Sequence, residues 1–171
     1  QYGAETLAFT HGTKRTYHWD ARRFFNLFRP PNMCGANNIC MCPSYATESA
    51  TYACMACRNI MEAQCVVIWG ASPYKSEPTE RYSHLVRAKK RGAKVIVIDP
   101  RRTKEVEMAD LWLQIRPGTD VALMLCWIRL IIDEGLFDQK FVEKWTVGFE
   151  DLKKAVASYT PEKVAEITMI P

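Results

Sequence analysis

The sequence predicts an α/β fold built on a parallel sheet, and three features of the stretch from Gln64 to Asp120 predict it. Two short apolar runs rich in Val and Ile, CVVIWG and KVIVIDPRRT, carry the signal of buried strands. Between them TERYSHLVRAKKRG has the period of one amphipathic helix, which makes the segment a right-handed βαβ unit. The strand ends then carry residues suited to a nucleotide, at the place where parallel sheets take their ligands. Gly70 lets the backbone come close, Asp99 offers a carboxylate, and Gly118-Thr119-Asp120, after the third run ADLWLQIRP, opens the next helix.

The remaining elements follow in order. Thr6 to Thr10 is apolar enough for a short strand that Gly12 ends. TYHWDARRFFNLF places Trp19, Phe24, Leu27 and Phe28 at helical spacing, so that face is expected to be buried, and Pro30-Pro31 stops the helix. His11 and His18 have no partner at ligand spacing and read as structural or surface residues. PNMCGANNICMCP reads as a polar loop that is neither strand nor helix, and SYATESATYACMACRNIMEA as a helix with Ser44 at its N-cap. ASPYKSEP reads as a turn. TDVALMLCWIRLIIDEGLF is apolar nearly all round and is expected to be a buried helix ended by Gly135. The chain closes with shorter amphipathic helices, with Asp151, Lys154, Glu162 and Glu166 on solvated faces; Trp112, Trp127 and Trp145 read as core.

Composition narrows the function. Of 171 residues 48% are hydrophobic and 25% charged, the balance of a globular domain, and no apolar run reaches the roughly 18 residues that cross a bilayer. The net charge of +4 is concentrated in RAKKRG and PRRTK. No basic stripe is interleaved with aromatics, so no nucleic-acid partner is expected. Gln1 in place of Met reads as the start of a piece of a longer chain.

Seven cysteines are many for this length, and five of them, Cys34, Cys40, Cys42, Cys54 and Cys57, lie between residues 34 and 57. An odd count argues against a complete disulfide framework and for metal or thiol chemistry in a reducing setting. Cys54-x-x-Cys57 falls inside an expected helix with no second such pair, so Cys54, Cys57, Cys65 and Cys126 read as packing residues.

Three segments, CVVIWGASPYKSEP, RAKKRGAKVIVIDPRRTKEVEMADLWLQIRPGTDVAL and GLFDQKFVEKWTVGFEDL, together resemble the nucleotide-binding domain of the molybdopterin oxidoreductases of the dimethyl sulfoxide reductase type. IDPRRT, MAD and RPGTD at these intervals form a specific combination. The likeness covers essentially the whole chain, with a tungsten-dependent hydratase branch especially similar from Asp99 to Thr168. It implies a Rossmann-like three-layer αβα parallel sheet, as a fragment of a larger multidomain enzyme. Residues 1–62 would hold the metal-ligand loop with its flanking helices, and residues 63–171 the dinucleotide-binding region.

The implied cofactor is bis-molybdopterin guanine dinucleotide with molybdenum or tungsten. Gly70, Ser72 and Pro73 would line its pyrophosphate and pterin side, Asp99, Arg101 and Arg102 the ribose and phosphates, and Gly118, Thr119 and Asp120 the guanine. One carboxylate accepts both adjacent N–H donors of guanine, which singles out Asp120. In the family a Cys, selenocysteine or Ser that binds the metal stands eight positions after the Asn of a Pro-Asn pair. Here the pair is Pro31-Asn32 and the residue is Cys40, both catalytic and metal ligand, with Cys42 and Cys34 as alternatives.

Three departures stand out: Met41 where formate dehydrogenases carry His, Ser72 where Asn is common, and Arg29-Pro30 before the Pro-Asn pair. The resemblance thus implies part of an oxidoreductase performing two-electron oxygen, sulfur or hydrogen transfer on a small-molecule substrate. A 4Fe-4S cluster is expected in an upstream part, and an iron-sulfur electron-transfer subunit as partner. The alternatives are a tungsten-dependent hydratase and a nucleotide-binding domain without catalysis, although GASPYKSEP lacks the GxGxxG of NAD-binding folds.

Overall fold

A computed structural model describes residues 2–11, 18–35, 41–53 and 59–171, arranged as two compact units, Gln1–Arg58 and Asn59–Pro171. Gly12, Cys40, Cys54 and Cys57 lie outside the described residues, as do the side chains of His11 and His18.

The first unit contains strand β1 (Ala8–His11), helix α1 (His18–Phe28), strand β2 (Asn32–Gly35) and helix α2 (Met41–Tyr52). β1 and β2 pair in parallel, Ala8 opposite Asn32 and His11 opposite Gly35. Part of the expected loop is therefore regular. Asn32 to Gly35 finds a strand partner in β1, and α2 already starts at Met41, which puts Ser44 inside the helix and not at its N-cap. The α1 helix forms where its period predicts, but the expected face is not the buried one. Phe25 is enclosed, in ring contact with Phe9 at 4.9 Å, whereas Trp19 is 77% exposed and Leu27 80%, with Phe24 and Phe28 about half exposed. A helical period groups side chains on a face; burial requires a surface to meet it.

The second unit is organised on strands β3 (Cys65–Trp69), β4 (Lys94–Ile98) and β5 (Leu111–Leu113), parallel and in the order β3-β4-β5. The turn expected at ASPYKSEP contains a short helix α3 (Pro73–Ser76), and a π-turn over Pro78–Tyr82 leads into α4 (Ser83–Lys90). Beyond β5 come α5 (Asp120–Asp133), α6 (Gln139–Trp145), α7 (Phe149–Val156) and α8 (Pro161–Thr168). Asp138 caps α6 by accepting from Phe141 N at 3.0 Å, and Thr160 caps α8 by accepting from Lys163 N at 3.3 Å.

Alternate residues of β4 enter two cores, as the two-residue period of a strand covered on both sides requires. Val95 and Val97 pack with Ile68 and with Leu85 of α4. Ile98 packs with Ile115, with Leu123 and Cys126 of α5, and with Val164 of α8. Asp110 ties α4 to the sheet: its carboxylate accepts from Lys89 Nζ at 2.6 Å and from Val95 N at 2.7 Å.

Three burial expectations are corrected. α5 buries Leu123 and Cys126, while Val121, Met124 and Ile131 are exposed. Trp112 and Trp127 pack against the cores, but Trp145 is exposed at the end of α6. Cys65 is exposed because it starts β3 at the edge of the sheet; Cys126 is buried, and that burial pushes its thiol pKa up. Asp151, Lys154, Glu162 and Glu166 are solvated as expected. Among the described residues no helix is long and apolar enough to cross a membrane.

Candidate nucleotide site at the strand ends

The carboxyl ends of β3 and β4 are held in step: Gly70 N donates to Ile98 O at 2.8 Å, one residue beyond the paired strands. Gly70 then turns the chain at φ +56°, and a Cβ built on it meets nothing within 4 Å. The glycine is required here by conformation and not by crowding. Gly118, at φ +81°, makes the same kind of turn before α5.

A cleft of about 150 Å³ opens where these ends meet, lined by Ser72, Lys75, Arg101, Arg102, Thr103 and Lys104. Four of its six residues are cationic. Asp99 holds Arg101, accepting from its backbone N at 2.8 Å and from Nε at 3.2 Å; this partner also raises the Arg101 pKa. A hydrogen bond to Glu107 raises the Lys104 pKa in the same way. Both groups stay protonated across the biological pH range. Lys75 and Arg102 make no ion pair among the described residues, so two positive charges face the cleft uncompensated. The buried Thr103 Oγ1 has no hydrogen-bond partner among the described residues. Such an arrangement takes an anion with several acceptor oxygens, and a pyrophosphate has that shape and charge.

The wall of the cleft rests on Glu105, which is fully buried. Its two oxygens share the Ser72 hydroxyl at 3.2 Å each, and Oε1 accepts from Tyr74 N at 2.7 Å. A buried carboxylate needs such donors, and here they pin the turn after β3 to the segment after β4. The Ser72 proton is thereby committed inward, which leaves the hydroxyl as an acceptor toward the cleft.

The sequence-derived residues fall into three groups. Ser72, Arg101 and Arg102 line one cleft, and Pro73 adjoins it as the first residue of α3. Asp99 lies beneath, its carboxylate occupied by Arg101 and its carbonyl accepting from Trp112 Nε1 at 2.9 Å. Gly118, Thr119 and Asp120 stand at the start of α5, where Thr119 Oγ1 donates to Arg116 O at 2.6 Å and Asp120 Oδ1 accepts from Trp69 Nε1 at 2.6 Å. Cys40 is outside the described residues, while Cys34 on β2 and Cys42 on α2 are both exposed.

Sequence reasoning missed Lys75, Lys104, Glu105 and Trp69. The first two sit within three residues of named positions, Ser72 and Arg102, and a count of charges around each strand end finds them. Glu105 and Trp69 leave no local signal, because their partners lie 33 and 51 positions away.

Comparison with known proteins places the chain in a family. The family described as molybdopterin oxidoreductase matches residues 23–161. Acetylene hydratase of Syntrophotalea acetylenica is 40% identical over 170 residues, 98% of this chain and 23% of that protein. The F420-dependent formate dehydrogenase subunit alpha of Methanocaldococcus jannaschii is 41% identical over 141 residues, 77% of this chain and 21% of that protein. Among solved structures, acetylene hydratase from Pelobacter acetylenicus aligns with a TM-score of 0.77 at 39% identity, over 99% of this chain and 24% of the other. The chain thus spans under a quarter of the length of these relatives.

Proposed function

This chain belongs to the molybdopterin oxidoreductase family, and from that premise we propose that it grips one guanine dinucleotide arm of a molybdenum or tungsten cofactor. The observation that carries the reading is the cleft in which Lys75 and Arg102 stand uncompensated beside Arg101, Lys104 and the unpartnered Thr103 hydroxyl. These residues would hold the pyrophosphate, with Gly70, Ser72 and Pro73 forming the turn against it. Asp120 would take the guanine edge. Asp99 acts through Arg101, which it orients. Cys40 would be the metal ligand, with Cys42 and Cys34 the alternative thiols. The division of labour places the ligand loop in residues 1–62 and a Rossmann-like three-layer dinucleotide region in 63–171.

When bound, the cofactor supplies two-electron oxygen, sulfur or hydrogen exchange with a small substrate. The chain's own part is to neutralise the phosphates and fix the orientation of the arm that carries the metal. The bis-dinucleotide form of the cofactor, a 4Fe-4S cluster elsewhere in the protein and an iron-sulfur electron-transfer subunit belong to the same reading. The test is metal and nucleotide analysis of the whole protein purified from a host that makes the cofactor. Molybdenum or tungsten with guanine nucleotide released on acid treatment is expected, and both should fall in a Lys75→Ala, Arg102→Ala double variant. Tightly bound NAD without either metal overturns the reading.

A second reading keeps the cofactor and changes the reaction. The acetylene hydratase match extends over 98% of this chain, against 77% for the formate dehydrogenase subunit, which favours hydration without net redox. Acetaldehyde formed from acetylene, assayed beside viologen-linked reduction of sulfur, arsenic or N-oxide acceptors, separates the two.

A further inference from the structure

We propose that Trp69 is a positioning residue for base recognition: its indole N–H orients the Asp120 carboxylate toward the paired N–H donors of guanine. This rests on the assignment of Asp120 to the base and adds to it a residue that touches no ligand itself.

Trp69 ends β3, immediately before the left-handed turn at Gly70. Its Nε1 donates to Asp120 Oδ1 at 2.6 Å, and its ring meets Trp127 edge to face, centroids 5.5 Å apart at 66°. Asp120 and Trp127 are seven residues apart, two turns of α5, and so lie on one face of that helix. The indole is therefore fastened at two points to the same face, and a change of rotamer breaks both contacts.

The consequence falls on the carboxylate. The terminal torsion of an aspartate is broad and roughly two-fold, so an aspartate at an open helix start samples many orientations of its plane. The indole N–H holds Oδ1 in place, and Oδ2 accepts no hydrogen bond among the described residues. Both residues are partly buried, which strengthens the bond that sets the plane. Guanine presents N1–H and the 2-amino group side by side, and a fixed carboxylate accepts from both at once. Adenine places a ring-nitrogen acceptor beside its donor, which meets the carboxylate as repulsion and is rejected.

Calorimetric titration of the full chain, purified free of cofactor, with GDP, ADP and IDP tests the proposal; IDP lacks only the 2-amino group. Trp69→Phe keeps a ring against Trp127 and removes the donor. It should weaken GDP about tenfold and IDP much less, so that the preference for GDP shrinks. Trp127→Phe, which alters packing and leaves the N–H in place, should keep the preference. A merely structural role for Trp69 would lower GDP and IDP together and leave their ratio alone, and that result overturns the proposal. So does a Trp127→Phe variant whose preference shrinks as far.

Asp120→Asn separates the two layers of the argument. If it retains the GDP preference, the base assignment itself has failed; if it loses the preference while Trp69→Phe does not, the assignment stands and the role of Trp69 falls. Thermal melting confirms that each variant folds. Should Trp69→Phe unfold, benzothienylalanine at position 69 replaces the N–H by sulfur at nearly constant shape, and its GDP to IDP ratio decides on the same terms.

Discussion

The two units treat their apolar side chains in opposite ways. In Asn59–Pro171, β4 feeds Val95 and Val97 into one core and Ile98 into another, and Leu85, Leu123 and Val164 close them from α4, α5 and α8. In Gln1–Arg58, Phe25 is the one enclosed hydrophobic side chain among the described residues, while Trp19, Phe24, Leu27 and Phe28 are exposed on the same helix. Both units have amphipathic helices. Among the described residues, the first supplies the two-stranded β1-β2 sheet, and the second a three-stranded sheet with cores on both faces for them to meet. The unit that carries the basic cleft is thus stabilised by burial from within.

The sharpest way to break this contrast is at Cys40. Cys40→Ala should abolish or severely cut turnover of the whole protein while its melting temperature stays unchanged; normal activity would show that Cys40 is not the ligand. Next in size is a pair of matched truncations. Leu85→Ala, in a fully enclosed site, should cost about 2–5 kcal/mol, and Leu27→Ala on exposed α1 should stay within about 0.5 kcal/mol. Denaturant melts of both variants give the comparison directly, and equal losses would erase the distinction between the units.

Glu105→Gln comes third. The amide replaces the charged acceptor Oε2 with an NH2 donor that faces the Ser72 hydroxyl and weakens the remaining bonds by removing the charge, so a loss of about 1–3 kcal/mol is expected. GDP, ADP and inorganic pyrophosphate should all weaken together, because the cleft wall shifts and the base site does not. The smallest effect belongs to Asp110. Its hydrogen bond from Lys89, with that from Val95 N, lowers its pKa from the ordinary 3.8 to about 2. A carboxylate depressed on folding stabilises above its unfolded pKa, and that stability is lost as pH falls through the folded one. Acid unfolding should therefore show a loss between about pH 4 and pH 2 that Asp110→Asn removes; an unchanged acid limb in the variant would assign that loss to other groups.

Local information carried much of this molecule. The Val and Ile runs at 65–69 and 94–98 became parallel strands, TERYSHLVRAKKRG became the helix between them, and Ser72, Arg101 and Arg102 met in one cleft. What misled the reading was equally local. Periodicity alone predicts burial for the apolar surround of α5 and the aromatic face of α1, and NMCG, polar and glycine-containing, forms a strand because β1 is there to pair with it.

The sequence by itself determined the parallel strands, the helix opening at Gly118-Thr119-Asp120, the basic residues that follow β4 and the likeness to a family, since each is set by a few consecutive residues or by a short motif. Tertiary structure alone decided that Glu105 would sit beneath Ser72 and that Trp69 would take hold of Asp120. Those pairs are separated by 33 and 51 residues, and only the close packing of strand ends against helices, which propensity and period do not encode, brings their atoms within hydrogen-bonding distance.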